Sequence, residues 1–596
     1  VDPQTFYPGN LAALEKEHKQ LLKRRAAFGI FRFGTLALLV ALVYLFSQLG
    51  AVYLVVFAAA MLLLFRWLIL MDLKNRAAIR NLEHLIGINQ QEIRAISGEY
   101  YQFPDGTAYM PKDHYYANDI DIFGHASLYQ FCNRTTSETG GRQLAAWLSA
   151  PAQKETILKR QEAIKELDIK RGWSQQLQAL GKENTIREET YSRLMDWLHD
   201  PAIFLTFRHW RWLRILLPAI ILSVTAAAIA RWIPMNVLYA ALFLYAVLAY
   251  QINKRVSPLH QRLSKMVDEL DTLSQSIALI EKENFTTPLL KKMHGYFMHD
   301  DQAASVKIIH IKKILDRLDL RYNLIISAPL NLLLLWNLQQ VLSLEQWKKT
   351  NAADVAGWFD ALGKFEALNS FGTIRFNNPQ WSFPEIRDEH FSIEARELGH
   401  PLIRENKRVN NYIDVPKSGA LMVVTGSNMA GKSTYLRSVG INVILAMAGA
   451  PVCASVFRLS PVQLLSSMRI ADNLEENTST FYAELKKLKT IIEKVNNNEK
   501  VFILLDEILR GTNSLDRHTG SVALVKQLIR HDAAGIIATH DVQLAEMKKE
   551  FPENILNFHF DAQVSHDELY FDYQLKPGIC TSLNASILMK KIGIEL

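Results

Sequence analysis

Cysteine is scarce in this sequence: only Cys132, Cys453 and Cys580 occur, far apart and without the paired spacing of a zinc site. That excludes a disulfide framework and a cysteine-held structural metal, and it fits a reducing, cytosol-facing setting. Small-residue cleavage signals are missing after the first apolar run, which is followed at once by another, so a cleaved leader is not indicated. No internal repeat of fixed period is present apart from two apolar hairpins, so a repeat array is not indicated either. Charge of one sign is only mildly in excess. The net charge is +7, and much of the local surplus lies beside the apolar runs, so basicity alone does not argue for nucleic acid.

What the chain does have is strong segregation of apolar residues. Residues 33–49 and 51–71 form two runs with a break at 47–50, and residues 213–230 and 233–252 form two more, joined by Arg231 and Trp232. Each is close to the ~20 residues that span a bilayer as a helix. Lys23, Arg24 and Arg25 precede the first pair and Lys74, Arg76 and Arg80 follow it. Arg208, Arg211 and Arg214 flank the second pair on one side, Lys254 and Arg255 on the other. The positive-inside rule then predicts two helical hairpins with all outer ends in the cytoplasm, a multi-pass cell-membrane protein. A third apolar stretch, 324–342, is interrupted by Asn331, Asn337, Gln339 and Gln340 and is expected to be a buried helix rather than a fifth span.

The expected layout runs in order. Residues 1–27 form a basic cytosolic segment, loop-like over 1–10; 28–71 form the first hairpin; 72–118 form a linker helix and loop; 119–212 are helical, with an interruption at Gly140-Gly141. Then come the second hairpin at 213–252, returning helices at 253–357, short connector strands at 358–401 and an α/β domain at 402–596. The expected fold class is therefore multidomain: helical membrane hairpins, an all-α middle and a C-terminal α/β P-loop domain with a parallel sheet.

The chemistry concentrates in that last domain. A buried strand at 421–425 leads into Gly426, Ser427, Asn428, Met429, Ala430, Gly431, Lys432, Ser433 and Thr434, which fit G-x-x-x-x-G-K-[ST] between strand and helix. Glycines let backbone N–H groups face phosphate oxygens, Lys432 reaches the β/γ-phosphates and Ser433 takes a Mg²⁺ position. Downstream, an apolar strand at 501–505 ends in Asp506 and Glu507, a pair suited to hold Mg²⁺ and to polarise the attacking water. Another apolar strand ends at His540, placing it at the same sheet edge as a γ-phosphate sensor. A polar stretch from Asp472 to Phe481, including Ser479 and running into a helix through Tyr482, suits either a second phosphate contact or an ordinary N-cap. ATP and Mg²⁺ are the expected cofactors.

Taken together, TGSNMAGKSTYLRSVG, ENTSTFYAEL, FILLDEILRGTNSLDR and IIATHD resemble the ATPase domain of the MutS family of DNA mismatch-repair proteins. The likeness covers roughly residues 119–200 and 255–590, with His400-Pro401 resembling the approach to the ATPase domain. It implies an ABC-superfamily ATPase that dimerises, Ser479 of one subunit completing the site built on Lys432 of the other. It also implies that Asn428 lies in the nucleotide loop, that Arg510 follows the acidic pair, that Asn513 to Asp516 sit at the dimer seam and that Tyr412 lies against the adenine. The departures are specific: membrane hairpins stand where mismatch readers carry a Phe-x-Glu domain, and the second hairpin falls about where the family inserts its DNA clamp. The expectation is a membrane-anchored, homodimeric MutS-like ATPase that binds double-stranded or structured DNA. The alternative is an ATP-driven membrane switch or scaffold that never touches DNA. An ABC transporter is a weaker third, since no LSGGQ stretch precedes Asp506.

Overall fold

A computed structural model describes residues 2–46, 51–207, 209–298, 302–388, 391–427, 429–468, 480–565 and 568–580. The N-terminal part is helical and the C-terminal part carries two mixed sheets. The first hairpin is two long helices packed on each other, Pro3–Phe46 and Ala51–Ile96. The loop expected over residues 1–10 is helix instead. Pro3 opens it, where a missing N–H costs nothing, and Tyr7 is buried with its hydroxyl donating to Asn377 Oδ1 at 2.7 Å. Where the apolar stretch begins, Arg32 pairs across the hairpin with the buried Asp72 at 3.1 Å, and Arg76 adds a second contact at 3.0 Å. Beyond this ionic clasp Phe33, Val40, Val55, Leu63 and Trp67 are exposed, with no protein surface covering them.

The second hairpin is His209–Ile229 and Met235–Leu263. Its legs pack on each other, and Pro218, Ile221, Tyr245 and Ile252 are buried, while Ile215, Leu216, Ile220, Phe243 and Leu244 are exposed. The returning leg passes through Pro258 without ending, so the apolar stretch and the polar residues that follow it form one continuous helix. Among the described residues four helices are long and apolar enough to cross a membrane, by length and composition.

The middle of the molecule is built around helix Trp336–Asn377, 42 residues long, or roughly 60 Å at 1.5 Å per residue. Two expectations fail here. The stretch 324–342 is not one buried helix: it divides at Leu335, whose φ of +47° ends a short apolar helix, Leu324–Leu334, before the long one starts. That short helix packs on both legs of the second hairpin and leaves Ile325 and Leu334 exposed. The connector strands expected from residue 358 begin only at 385, because Trp358, Phe359, Leu362, Phe365 and Phe371 continue the long helix as its buried surface. Gly140 and Gly141 do not interrupt a helix either. They lie in the first turns of Glu138–Ser149, and a Cβ on Gly140 would fall 2.0 Å from Glu366 Oε2 of the long helix, so the pair permits close packing.

Among the described residues ten strands complete the fold: β1 Glu385–Ile386, β2 Ile393–Leu398, β3 Asn411–Val415, β4 Leu421–Thr425, β5 Val456–Leu459, β6 Gln463–Ser467, β7 Val501–Asp506, β8 Ala534–Thr539, β9 Ile555–Ser565 and β10 Glu568–Pro577. A six-stranded sheet has the order β10-β9-β4-β8-β7-β6, parallel except for the edge strand β10. A smaller sheet, β1-β5-β2-β3, lies beside it. β4, β7 and β8 are buried at every position, the signature of a sheet covered on both faces.

The first hairpin is fastened to the core through the buried ion pair of Arg134 and Glu92. The guanidinium lies 3.6 Å from the centre of the Phe103 ring, and Glu92 Oε2 also accepts from Asn377 Nδ2 at 2.8 Å. Replacing Arg134 by Met strands a buried carboxylate, and a loss of about 3–5 kcal/mol is expected. Thermal unfolding of the full chain in detergent measures it; an unchanged melting temperature would show that this pair does not hold the hairpin.

Candidate nucleotide site

Strand order alone brings the reactive groups together. β8 lies between β4 and β7, so the residue after β8 must sit between the loop after β4 and the carboxylates ending β7. That residue is His540, and it pairs with Glu507 while lying 3.3 Å, through Nε2, from Lys432 Nζ. The loop after β4 turns into helix Lys432–Ala448 at Gly431, whose φ of +106° suits glycine alone. A Cβ there would also lie 3.1 Å from the Tyr573 ring.

Lys432 is buried and donates to the carbonyls of Gly426 at 2.8 Å and Ser427 at 3.0 Å, so its ammonium is folded back onto its own loop. Burial pushes its pKa down, against the pull of Glu507 and Asp506. Ser433 Oγ donates to Asp506 Oδ2 at 2.6 Å. Burial raises the Asp506 pKa, opposed by that hydrogen bond, and its Oδ1 is buried without a partner. Glu507 has a φ of +50° and is held by His540 and by Arg510 Nε at 3.1 Å. The hydrogen bond from His540 comes first among the causes that hold this carboxyl below its usual range. Behind the turn, the buried Glu484 accepts from the Leu509 N–H at 2.5 Å, tying helix Thr480–Asn496 to the segment after β7. Asn513 caps helix Ser514–Arg530 by accepting from the Asp516 N–H at 2.9 Å, and both residues are exposed.

These atoms fit a nucleoside triphosphate with Mg²⁺. Ser433 and Asp506 are hard oxygen donors side by side, and the orphaned Asp506 Oδ1 points to a missing polar neighbour. Among the described residues no cluster of three or more His, Cys, Asp or Glu forms a metal cage, so an ion here would draw most ligands from phosphate and water.

A cleft of about 410 Å³ extends from the loop, lined by His400, Val409, Asn411, Met429, Phe560 and Tyr573 among others. Tyr412 does not line it. Its ring packs edge-on against Phe558, 5.9 Å between centroids, and only its carbonyl turns toward the site, accepting from the Tyr435 hydroxyl at 2.9 Å. Tyr573 lines the cleft instead: β10 shifts register between Phe571 and Leu575, Tyr573 has a φ of +52°, and Asn411 Nδ2 donates to its carbonyl at 3.0 Å. Asn428 and Ser479 lie outside the described residues. The sheet edge thus brings together Lys432, Ser433, Asp506, Glu507, His540 and Arg510, Tyr412 stays outside the cleft, and Tyr573 is a cleft-lining aromatic that motif reading did not name.

Residues 422–590 match the family described as MutS domain V. The chain is 32% identical over 232 residues to the DNA mismatch repair protein MSH4 of Arabidopsis thaliana, covering 38% of this chain and 29% of that protein. It is 29% identical over 238 residues to the DNA mismatch repair protein MutS of Persephonella marina, covering 39% and 27%. MutS protein homolog 4 of Homo sapiens is 30% identical over 221 residues, covering 35% and 23%. The chain thus spans less than a third of the length of these relatives.

Two outcomes are expected. Lys432→Ala should abolish nucleotide binding, whereas Glu507→Gln should bind ATP and lose about 10²–10⁴-fold in hydrolysis if its carboxylate polarises the attacking water. Fluorescent-nucleotide titration beside phosphate release separates these roles, and equal loss of binding in both variants would merge them. The second outcome concerns His400, whose imidazole is pushed from 6.5 down to about 4, first by burial and then by Arg437 and Arg408. The fold favours the neutral ring, so the unfolded chain takes up the proton first. The stabilisation is complete above pH 6.5 and drains away as pH falls toward 4. Melting curves across that window should fall less steeply for His400→Gln than for the parent.

Proposed function

We propose that this protein is a membrane-anchored, MutS-like ATPase that binds ATP with Mg²⁺ between two copies of itself and acts on double-stranded or structured DNA near the membrane. The observation that carries the ATPase reading is the convergence of Lys432, Ser433, Asp506, Glu507 and His540 at one sheet edge. Glu507 would orient and polarise the attacking water, Lys432 would leave the Gly426 and Ser427 carbonyls to hold phosphate oxygens, and His540 would sense the γ-phosphate. Bound Mg²⁺ would neutralise developing charge on the transferred phosphoryl group. The DNA reading is supported by what the relatives are called, and the dimer by the resemblance at Ser479. Both hairpins would lie in the cell membrane, with residues 72–212 and 254–596 in the cytoplasm, supported by the basic flanks and the uncovered apolar surfaces.

One observation favours a coupling role for the membrane part. Both legs of the second hairpin are stitched to the start of the long helix by the amides that interrupt the third apolar stretch. Gln339 Nε2 donates to the Arg214 carbonyl at 2.6 Å on one leg, and Asn337 Nδ2 donates to Asn253 Oδ1 at 3.0 Å on the other. Asn331 Oδ1 accepts from the Asn337 N–H at 3.0 Å, and the Tyr245 hydroxyl donates to the Leu333 carbonyl at 3.4 Å. These bonds satisfy groups freed by the helix break at Leu335. A switch that transmits ATP state to the bilayer without DNA is the second reading, and this junction supports it.

Salt-dependent DNA binding by the detergent-purified chain separates the two readings. The DNA-acting protein should lose affinity steeply with rising salt, while no binding at low salt would leave the switch. Topology is tested by single cysteines at Gln48 and Met235, in a background without native cysteines, probed on intact cells with an impermeant thiol reagent. Labelling at both, with protection at Asn10, is expected. Protection at Met235 would make the second hairpin a cytosolic core. Mixing Lys432→Ala with a Ser479→Ala variant should restore part of the ATPase activity, because one composite site is then intact; full activity in a monomer would remove the dimer.

A further inference from the structure

A cavity of about 500 Å³ lies at the foot of the second hairpin, between the start of helix His209–Ile229, helix Ala304–Asp319 and the first half of the long helix. Arg211, Arg214, Lys307 and His310 line it together with Ser343 and Trp347, and among the described residues no carboxylate lines it. Lys307 is tied to Asp354 at 3.5 Å. Arg211 and Arg214 form no ion pair among the described residues, unlike Arg262 on the other leg, which reaches Asp200 at 2.8 Å. The Gln339 bond to the Arg214 carbonyl fixes the helix turn that carries both arginines. Directly above them Trp212, Ile215, Leu216 and Ile220 are exposed, and Tyr250 is exposed on the returning leg. Exposed Trp and Tyr at the foot of an apolar helix mark headgroup depth.

We propose that this cavity binds the phosphate headgroup of an acidic membrane lipid, whose acyl chains run along the uncovered face of Ile215, Leu216 and Ile220. The proposal rests on the membrane reading of the second hairpin. Two unpaired guanidiniums offer forked donors to phosphate oxygens, and the Ser343 hydroxyl adds another donor. Basic pockets between membrane helices on the cytoplasmic side hold acidic headgroups for this reason. A nucleic-acid phosphate would suit the same cations, but the greasy wall that continues out of the cavity matches a lipid and nothing on DNA. The site also adjoins the Gln339 and Asn337 stitches, so an occupant would touch the place where the hairpin meets the long helix.

The test uses the full chain in neutral detergent, titrated with short-chain phosphatidylglycerol and, separately, with short-chain phosphatidylcholine, inorganic phosphate and a DNA duplex. Tight saturable binding of phosphatidylglycerol is expected, weakened on the order of thirtyfold in Arg211→Gln/Arg214→Gln, from about 1 kcal/mol per arginine. Arg211→Lys/Arg214→Lys should retain most of it, and Lys254→Gln/Arg255→Gln on the returning leg should match the parent. ATP hydrolysis at the parent rate shows that each variant is folded. Should the double glutamine variant fail to fold, His310→Gln is read instead, with a smaller loss expected in the same direction. Unchanged affinity in the glutamine variant, or equal binding of phosphatidylcholine, overturns the site. Inorganic phosphate binding as tightly assigns a free anion, and displacement of the lipid by duplex assigns nucleic acid; each overturns the proposal. Protein that fractionates with membranes but shows no headgroup preference overturns this site alone, whereas protein that remains soluble in cells overturns the membrane reading with it.

Discussion

The structure depends on one long helix that carries buried side chains from its first turn to its last. Trp336–Asn377 packs against both legs of the second hairpin, against the helices on either side of them and against the helices that precede the nucleotide domain. Its own side chains explain why it cannot bend without cost: Trp347, Val355, Trp358, Phe359, Phe365 and Phe371 fill space between neighbours at crystal-like density. Its polar residues are the fastenings. Gln339 and Asn337 hold the hairpin legs at one end, Glu345 accepts from the N–H groups of Ile203, Phe204 and Leu205, and Glu366 accepts from Thr136 and Ser137. Asn377 closes the other end on Tyr7 and Glu92. Both apolar hairpins are thereby attached to a single rod.

The nucleotide site follows from a different constraint, the order of strands. With β8 between β4 and β7, three separate loops arrive at one edge, and short polar side chains suffice to link them. The arrangement is tense in the sense that matters for chemistry: Lys432 is buried on its own loop carbonyls, Asp506 keeps one oxygen unpartnered, and Glu507 is locked between His540 and Arg510. A phosphate-bearing ligand would replace contacts of this kind rather than enter an empty hollow, which is why loop geometry and ligand affinity are linked here.

Much of this was readable beforehand, and the reasons are physical. The phosphate loop and the carboxylates at the end of β7 are local features, since each needs only a strand, a turn and a few fixed residue types. The four apolar runs are likewise visible because lipid-length hydrophobic stretches have few other uses. What escaped was non-local. The long helix is buried on nearly all sides from Trp358 onward, with polar residues such as Glu366, Asn369 and Ser370 buried among the apolar ones, so it lacks the one-sided stripe that identifies a surface helix. The break at Leu335 occurs at a residue that normally avoids left-handed backbone, and the amides that support it read as interruptions until their partners on the hairpin are known. Tyr412 failed for a simpler reason. Side chains alternate along β3, and it is Asn411 that lines the cleft. Tyr573 arrives from a bulged strand far along the chain, and no spacing rule could have found it.

Under the proposed coupling, nucleotide state at the sheet edge would be felt at the foot of the second hairpin through the long helix. Hydrogen–deuterium exchange on the full chain in detergent, comparing the nucleotide-free protein with Glu507→Gln saturated in ATP and Mg²⁺, tests it directly. The account predicts a change in protection at the Leu334 to Trp336 junction and around Arg214 and Asn253, in addition to the loop at Gly426 to Ser433. A change confined to residues 400–580, with the junction unaltered, would contradict it.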